Sequence, residues 1–280
     1  MKLLRHGDFG KEKPGIIDQE DKIRDLSDHI TDINGDTINA SSLKKIAAID
    51  LSSLPTVSNT TRLGACVGNV GKFLCIGLNY SDHAAESGLP VPSEPILFSK
   101  ATSAIVGPND NVEIPRNSSE TDWEVELGII IGKKAKYINE DDAEDYIAGY
   151  CVVNDVSERA FQIKREGQWT KGKSCDTFGP TGPYLVTKDE IPDVQNLKMY
   201  LDVNGKRMQD GSTNTMIFSA KHIVYYLSQF MSLNPGDVIA TGTPPGVGLG
   251  MKPPVFLNAG DTMKLGIEGL GEQNQTCIQG

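Results

Sequence analysis

The stretch TDWEVELGIIIGK, residues 121–133, sets two carboxylates, Glu124 and Glu126, two positions apart at the head of an apolar run. In a β-strand side chains alternate between faces, so both carboxylates point the same way, a few ångströms apart. Like charges that close raise each other's pKa unless a cation lies between them. A third carboxylate, Asp155, closes the run YCVVND, where another strand leaves the core. The three make an all-oxygen set suited to a hard divalent cation, Mg2+, Mn2+ or Ca2+. No Cys/His cluster offers a zinc alternative. On spacing alone the ordinary reading is a solvated strand face paired with lysines or arginines, and the metal reading needs further residues.

Those residues are present. In GLNYSDHAAESG a buried strand runs into a short helix that Ser81 or Asp82 can cap. His83 and Glu86, three apart, share a helical face, and a carboxylate beside an imidazole orients it and raises its basicity, as a general base requires. A lone pair at this spacing is more often a surface contact. KGKSCDTFGPTGPY carries Lys173 and ATGTPPGVGLG carries Thr243, both in glycine-rich stretches that are not Walker-type phosphate loops and that could be simple turns. Trp123 and Trp169 could line a pocket or pack beside it, and Ser212 and Asn214 in QDGSTNTMIF could meet the far end of a substrate. His222 reads as structural on an amphipathic helix, and His6 and His29 have no assignable chemistry.

The chain around these residues is 280 long, 38% hydrophobic and 23% charged, with a formal charge of −10. It can bury a large core. The acidity argues against nucleic acid, whose phosphates are bound by a Lys/Arg surplus, but not against a small anionic substrate held in a local pocket. Five dispersed cysteines without a C-x-x-C pair predict reduced thiols, with Cys75 and Cys151 inside apolar runs as core residues. The N-terminus turns polar after four residues, unlike a signal peptide. No apolar run nears the roughly 18 residues of a membrane span. A cytoplasmic protein is expected.

The elements that position the chemistry are mostly strands: GKFLCIGLNY, PILFSK, WEVELGIIIG, IAGYCVVND, GPYLVT, LKMYLDVNGK, DVIATGT and DTMKLGIEG. The VNGK dipeptide Asn-Gly predicts a type I′ hairpin. Helices are expected over Ser41–Ile49, SDHAAES, DDAEDYIAG, SERAFQIKRE and SAKHIVYYLSQFM, and SSLPTVSNTTRLG reads as a linker. The organisation expected is β-rich α+β, with residues 1–68 a small N-terminal domain and 69–280 a catalytic domain.

In register and in this order, GLNYSDHAAE, PILFSKATSAIVGPNDNVEIP, DWEVELGIIIGK, GYCVVNDVSERAFQ, KGKSCDTFGPTGPY, QDGSTNTMIF and PGDVIATGTPPGVG resemble the fumarylacetoacetate hydrolase family over roughly residues 70–270. The resemblance implies a mixed β-sandwich roll, a homodimer or higher assembly, and Mg2+ or Mn2+ held by Glu124, Glu126 and Asp155. It implies His83 and Glu86 as a catalytic dyad, Lys173 as the active-site lysine, and Arg159, Gln162, Thr243 and Ser212 at the substrate. MKLLRHG, GVGLGMKPP and GIEGLGEQ look most like the branch hydrolysing 2,4-diketo-3-deoxy-L-fuconate or -rhamnonate, often labelled ureidoglycolate lyase. The activity implied is cleavage of a carbon–carbon bond in a small anionic keto acid, giving pyruvate and a hydroxy acid such as lactate. Rivals on the same core are acylpyruvate or fumarylpyruvate hydrolysis, oxaloacetate decarboxylation, ureidoglycolate cleavage and 2-hydroxymuconate-type isomerisation. A ligand-binding module without turnover is the non-enzymatic alternative.

Overall fold

The apolar run around Glu126 forms the strand Val125–Ile131, buried along its whole length. It is central in a ten-stranded mixed sheet, paired antiparallel with Ile147–Asn154 on one side and Val238–Ala240 on the other. The computed structural model describes residues 1–88 and 90–280, and at Ser87 the backbone alone. Beyond Val238–Ala240 the sheet continues through Phe73–Gly77 to the edge strand Ile96–Lys100. Beyond Ile147–Asn154 it continues through Leu185–Thr187 to Lys2–His6, Lys13–Ile17, Ile23–Asp25 and Thr56–Val57.

Burial on both faces explains why this strand is a continuous apolar run rather than an alternation. Val125, Leu127, Ile129 and Ile131 belong to one core, together with Leu201, Leu265 and Ile267 of a second, five-stranded sheet. Ile130, on the opposite face, belongs to another core with Leu3, Ile16, Ile38, Cys75 and Val238. Full burial of each such side chain contributes about 1.5–3 kcal/mol. Residues 1–68 therefore supply strands to the main sheet and apolar side chains to a core that they share with later residues. Gly128 has to be glycine, because a Cβ there would lie 2.6 Å from Cys151 Sγ.

Strands and few helices make this the β-rich α+β architecture expected, two sheets packed over a common core. The VNGK hairpin joins Lys198–Val203 to Lys206–Ser212, with positive φ at both Asn204 and Gly205 as a type I′ turn requires. Helices form at Ala40–Ala47, capped by Asn39, and at Ser81–Ser87, Arg159–Ile163 and Ala220–Ser228. The acidic DDAEDY segment forms a 3-10 helix, Glu140–Tyr146, instead of an α-helix. Its like charges at i, i+3 and i, i+4 disfavour a longer helix, and the chain enters the strand Ile147–Asn154 directly. Within the expected linker lies the short strand Thr56–Val57. Cys75 and Cys151 are buried core thiols, and all five cysteines are free. Among the described residues no helix is long and apolar enough to cross a membrane.

Candidate functional site

Glu126 projects from the central strand and Glu124 from the residue just before it, so strand alternation gives both the same face. Asp155 follows the neighbouring strand directly, and its backbone N–H donates to the Glu124 carbonyl at 2.9 Å. The ladder thereby brings the third carboxylate opposite the first. One oxygen from each of Glu124, Glu126 and Asp155 lies within 4.8 Å of the other two, and all three residues are buried.

Cations surround the cluster unevenly. The Lys173 ammonium donates to Glu124 Oε2 and to Asp155 Oδ2, both at 2.7 Å. Lys100, whose ammonium is fully buried, donates to Asp155 Oδ1 at 2.5 Å and to the Val156 carbonyl at 2.9 Å. Arg159 holds Glu124 Oε1 at 2.6 Å and Asp122 Oδ2 at 2.8 Å. Burial opposes the charge on Glu124, but Lys173 and Arg159 outweigh it and hold its pKa below the usual carboxylate range. Burial likewise opposes the Lys173 charge, while Asp155 and Glu124 raise its pKa above that of an ordinary lysine. Glu126 is the exception. It accepts the Gly242 N–H at 2.8 Å but forms no ion pair among the described residues. Burial, then Asp155 and Glu124, push its pKa well up.

Among the described residues three of the four carboxylates (Asp122, Glu124, Asp155) thus pair with three cations (Lys100, Arg159, Lys173), and Glu126 is left without one. Three convergent carboxylate oxygens with one charge uncompensated fit a hard divalent cation, which would bind Glu124, Glu126 and Asp155. The opening repulsion between the glutamates is answered only in part by protein cations.

Glu124 and Glu126 line a cavity of about 770 Å3, whose wall also includes His83, Glu86, Arg159 and Lys173. His83 and Glu86 lie on the helix Ser81–Ser87, with His83 Nδ1 3.1 Å from Glu86 Oε2. A carboxylate only accepts, so a neutral imidazole paired with it donates from Nδ1 and keeps its lone pair on Nε2. The helix is braced from outside the cavity. Thr215 donates to Asp82, Ser81 to the Thr215 carbonyl, and Phe218 N–H to Asn79.

Gln162 also lines the cavity and accepts from Arg159 at 3.1 Å. Thr243 lines it too, but its hydroxyl proton goes to the Val125 carbonyl at 2.9 Å while Gln209 donates to its oxygen at 2.8 Å. Ser212 and Asn214 are not brought to the cavity. Ser212 accepts the Asn214 N–H at 3.3 Å and caps the short turn Thr213–Thr215 that braces the His83 helix. Trp169 forms part of the wall, against Gly77, where a Cβ would lie 2.8 Å from the indole. Trp123 packs beside the site and donates to the Gly246 carbonyl at 3.1 Å. His222 lies on the helix Ala220–Ser228 with Phe218 and Tyr226 stacked on it.

Sequence reasoning missed three buried participants: Lys100, Asp122 and Gln209. Asp122 had a signal, since D-x-E-x-E carries the alternation one step earlier. Lys100, ending the apolar strand PILFSK, had a weaker one. Gln209, which also accepts the Val125 N–H at 2.9 Å, had none.

Residues 72–278 match the family model described as fumarylacetoacetate (FAA) hydrolase C-terminal. A provisionally named hydrolase of Burkholderia orbicola is 61% identical over 276 residues, covering 98% of each chain. The solved fumarylacetoacetate hydrolase of Exiguobacterium antarcticum is 35% identical, with TM-score 0.88 and full coverage of both chains. A maleylpyruvate hydrolase of Sphingobium sp. SYK-6, solved with manganese(II) and pyruvate, is 28% identical, with TM-score 0.84 and full coverage of both chains.

Proposed function

The chain belongs to the fumarylacetoacetate hydrolase family, and from that premise we propose that it is a divalent-metal-dependent hydrolase cleaving the C3–C4 bond of a 2,4-diketo acid. The substrate class proposed is a 2,4-diketo-3-deoxy sugar acid such as the L-fuconate or L-rhamnonate derivative, released as pyruvate and lactate. The observation that carries the reading is one cavity whose wall holds Glu124 and Glu126, two of the three clustered carboxylates, together with the paired His83 and Glu86.

A divalent cation held by the three carboxylates supplies Lewis-acid polarisation of a substrate carbonyl. His83 Nε2 takes a proton from water, whose oxygen adds to C4. The C3–C4 bond then breaks, its electron pair passes toward the 2-oxo oxygen, and C3 takes up a proton to become the pyruvate methyl. Glu86 keeps the imidazole in the productive tautomer. Lys173, with two of its three N–H groups committed to Glu124 and Asp155, has one left for a substrate oxygen. Arg159 and Gln162 offer polar contacts on the same wall. The Thr243 hydroxyl, its proton engaged, shapes the wall and accepts rather than donates.

The pairing of His83 with Glu86 favours hydrolysis over decarboxylation or isomerisation, because only hydrolysis needs water activated. The test is product analysis with 2,4-diketo-3-deoxy-L-fuconate, 2,4-dioxopentanoate and oxaloacetate, in EDTA and after Mg2+ or Mn2+ is restored. Pyruvate with a second acid from the diketo acids supports the proposal. Turnover confined to CO2 release from oxaloacetate, or an isomerised product without cleavage, overturns it. His83→Ala should retain cation binding and lose about 10²–10⁴ in rate, the usual worth of a general base; undiminished turnover removes His83 from that role.

A further inference from the structure

The stretch TGTPPGVGLG, residues 241–250, does more than supply Thr243. Its backbone N–H groups reach three acidic side chains in turn. Gly242 donates to the metal-site carboxylate Glu126 at 2.8 Å. Gly246 donates to both oxygens of Glu86, at 3.1 and 3.3 Å. Gly248 and Leu249 donate to Asp122 at 2.7 and 3.0 Å. Asp122 is fully buried and also bonded to Arg159, so it pins the loop to the cluster's own scaffold.

Two glycines shape the place where Glu86 rests. Gly246 has φ +103, and a Cβ there would lie 1.9 Å from the Met208 carbonyl oxygen. A Cβ at Gly250 would lie 3.2 Å from the Glu86 carboxyl carbon and from Oε2. The loop approaches the carboxylate closely because neither residue carries a side chain. This contact matters because His83 and Glu86 share a helix of only seven residues. An i, i+3 pair on so short a helix holds its geometry weakly on its own.

We propose that the loop Gly246–Gly250, pinned by Asp122, is a socket for the Glu86 carboxylate and thereby fixes the orientation of the His83 imidazole, with Gly250 as a positioning residue. The catalytic consequence rests on the base role proposed for His83. The geometric claim does not.

The test uses Gly250→Ala and Gly250→Val in the full chain, whose φ at this position is not in the left-handed region. Each should retain the fold and Mn2+ affinity of the unaltered protein. In pyruvate release from 2,4-dioxopentanoate, Gly250→Val should lower kcat by about tenfold or more with KM changed by less than about threefold, and Gly250→Ala by less. In a His83→Ala background the same valine should cost under about twofold, because the group it misplaces is already gone. A loss equal in both backgrounds, or no loss, overturns the proposal. A second readout needs no turnover. With four histidines in the chain, the ring Nδ1–H resonance of His83 can be assigned by NMR against His83→Ala. It should exchange rapidly with solvent in Gly250→Val and slowly in the unaltered protein; slow exchange in both refutes the socket. Full turnover by His83→Ala defeats the base assignment instead, and the NMR result still judges the loop.

Discussion

Replacing Glu126 by glutamine keeps the shape of the side chain and removes the carboxylate of the cluster that pairs with no cation among the described residues. In the metal-free protein this charge has two unfavourable fates. It stays ionised in a buried site beside Asp155 and Glu124, or it takes up a proton at neutral pH. The second fate sets a ceiling. Protonating a carboxyl of ordinary pKa 4.5 at pH 7 costs about 2.5 × 1.36, or roughly 3.4 kcal/mol. A glutamine avoids both, accepts the Gly242 N–H with its oxygen, and offers two N–H groups to the neighbouring carboxylates. The gain lies below that ceiling, on the order of 1–3 kcal/mol, which for a chain of this size is a rise of roughly 2–5 °C in the EDTA-treated melting temperature. The effect of metal should invert. A cation at 100 times its Kd stabilises the unaltered protein by about 2.7 kcal/mol, roughly 5 °C, and the variant should show little of this. Thermal melts of both proteins, in EDTA and in Mn2+, give all four values. A variant less stable than the unaltered protein in EDTA, or one still stabilised by Mn2+, refutes the claim that Glu126 carries the uncompensated charge.

Other perturbations probe separate parts of the structure. Lys100→Met should destabilise the fold by about 3–5 kcal/mol in chemical denaturation, the usual cost of breaking a buried ion pair, since Asp155 would keep only Lys173; a loss under about 1 kcal/mol contradicts the pairing. Burial holds the His6 pKa below its ordinary value against the pull of Asp25, and its Nε2 has no hydrogen-bond partner among the described residues. The unfolded chain therefore takes up this proton first as pH falls through about 6.5. Stability should drop from there down to the folded pKa and then level, and the His6→Gln variant should lack that component in denaturation series between pH 7 and 5.

Much of this site was legible because local rules set it. Alternation placed Glu124 and Glu126 on one face, Asn-Gly fixed the hairpin, and helical spacing joined His83 to Glu86. What was not legible came from contacts distant in sequence. Lys100 reaches Asp155 across 55 positions, and Gln209 reaches Val125 across 84. No local pattern reveals that Lys2–His6 pairs with Leu185–Thr187, joining the N-terminal strands to the main sheet. Ser212 lies in a motif near the His83 helix, on the side that braces it.

Oxygen-18 transfer tests the proposed chemistry most directly. EDTA-stripped protein, with and without restored Mg2+ or Mn2+, is given a 2,4-diketo acid in H2 18O for a single turnover, and the products are weighed by mass spectrometry. Water addition at C4 followed by C3–C4 cleavage predicts heavy oxygen in the carboxylate of the non-pyruvate acid, and only when the cation is present. Cleavage that continues undiminished in EDTA, or an acid product whose carboxylate carries no label, contradicts it.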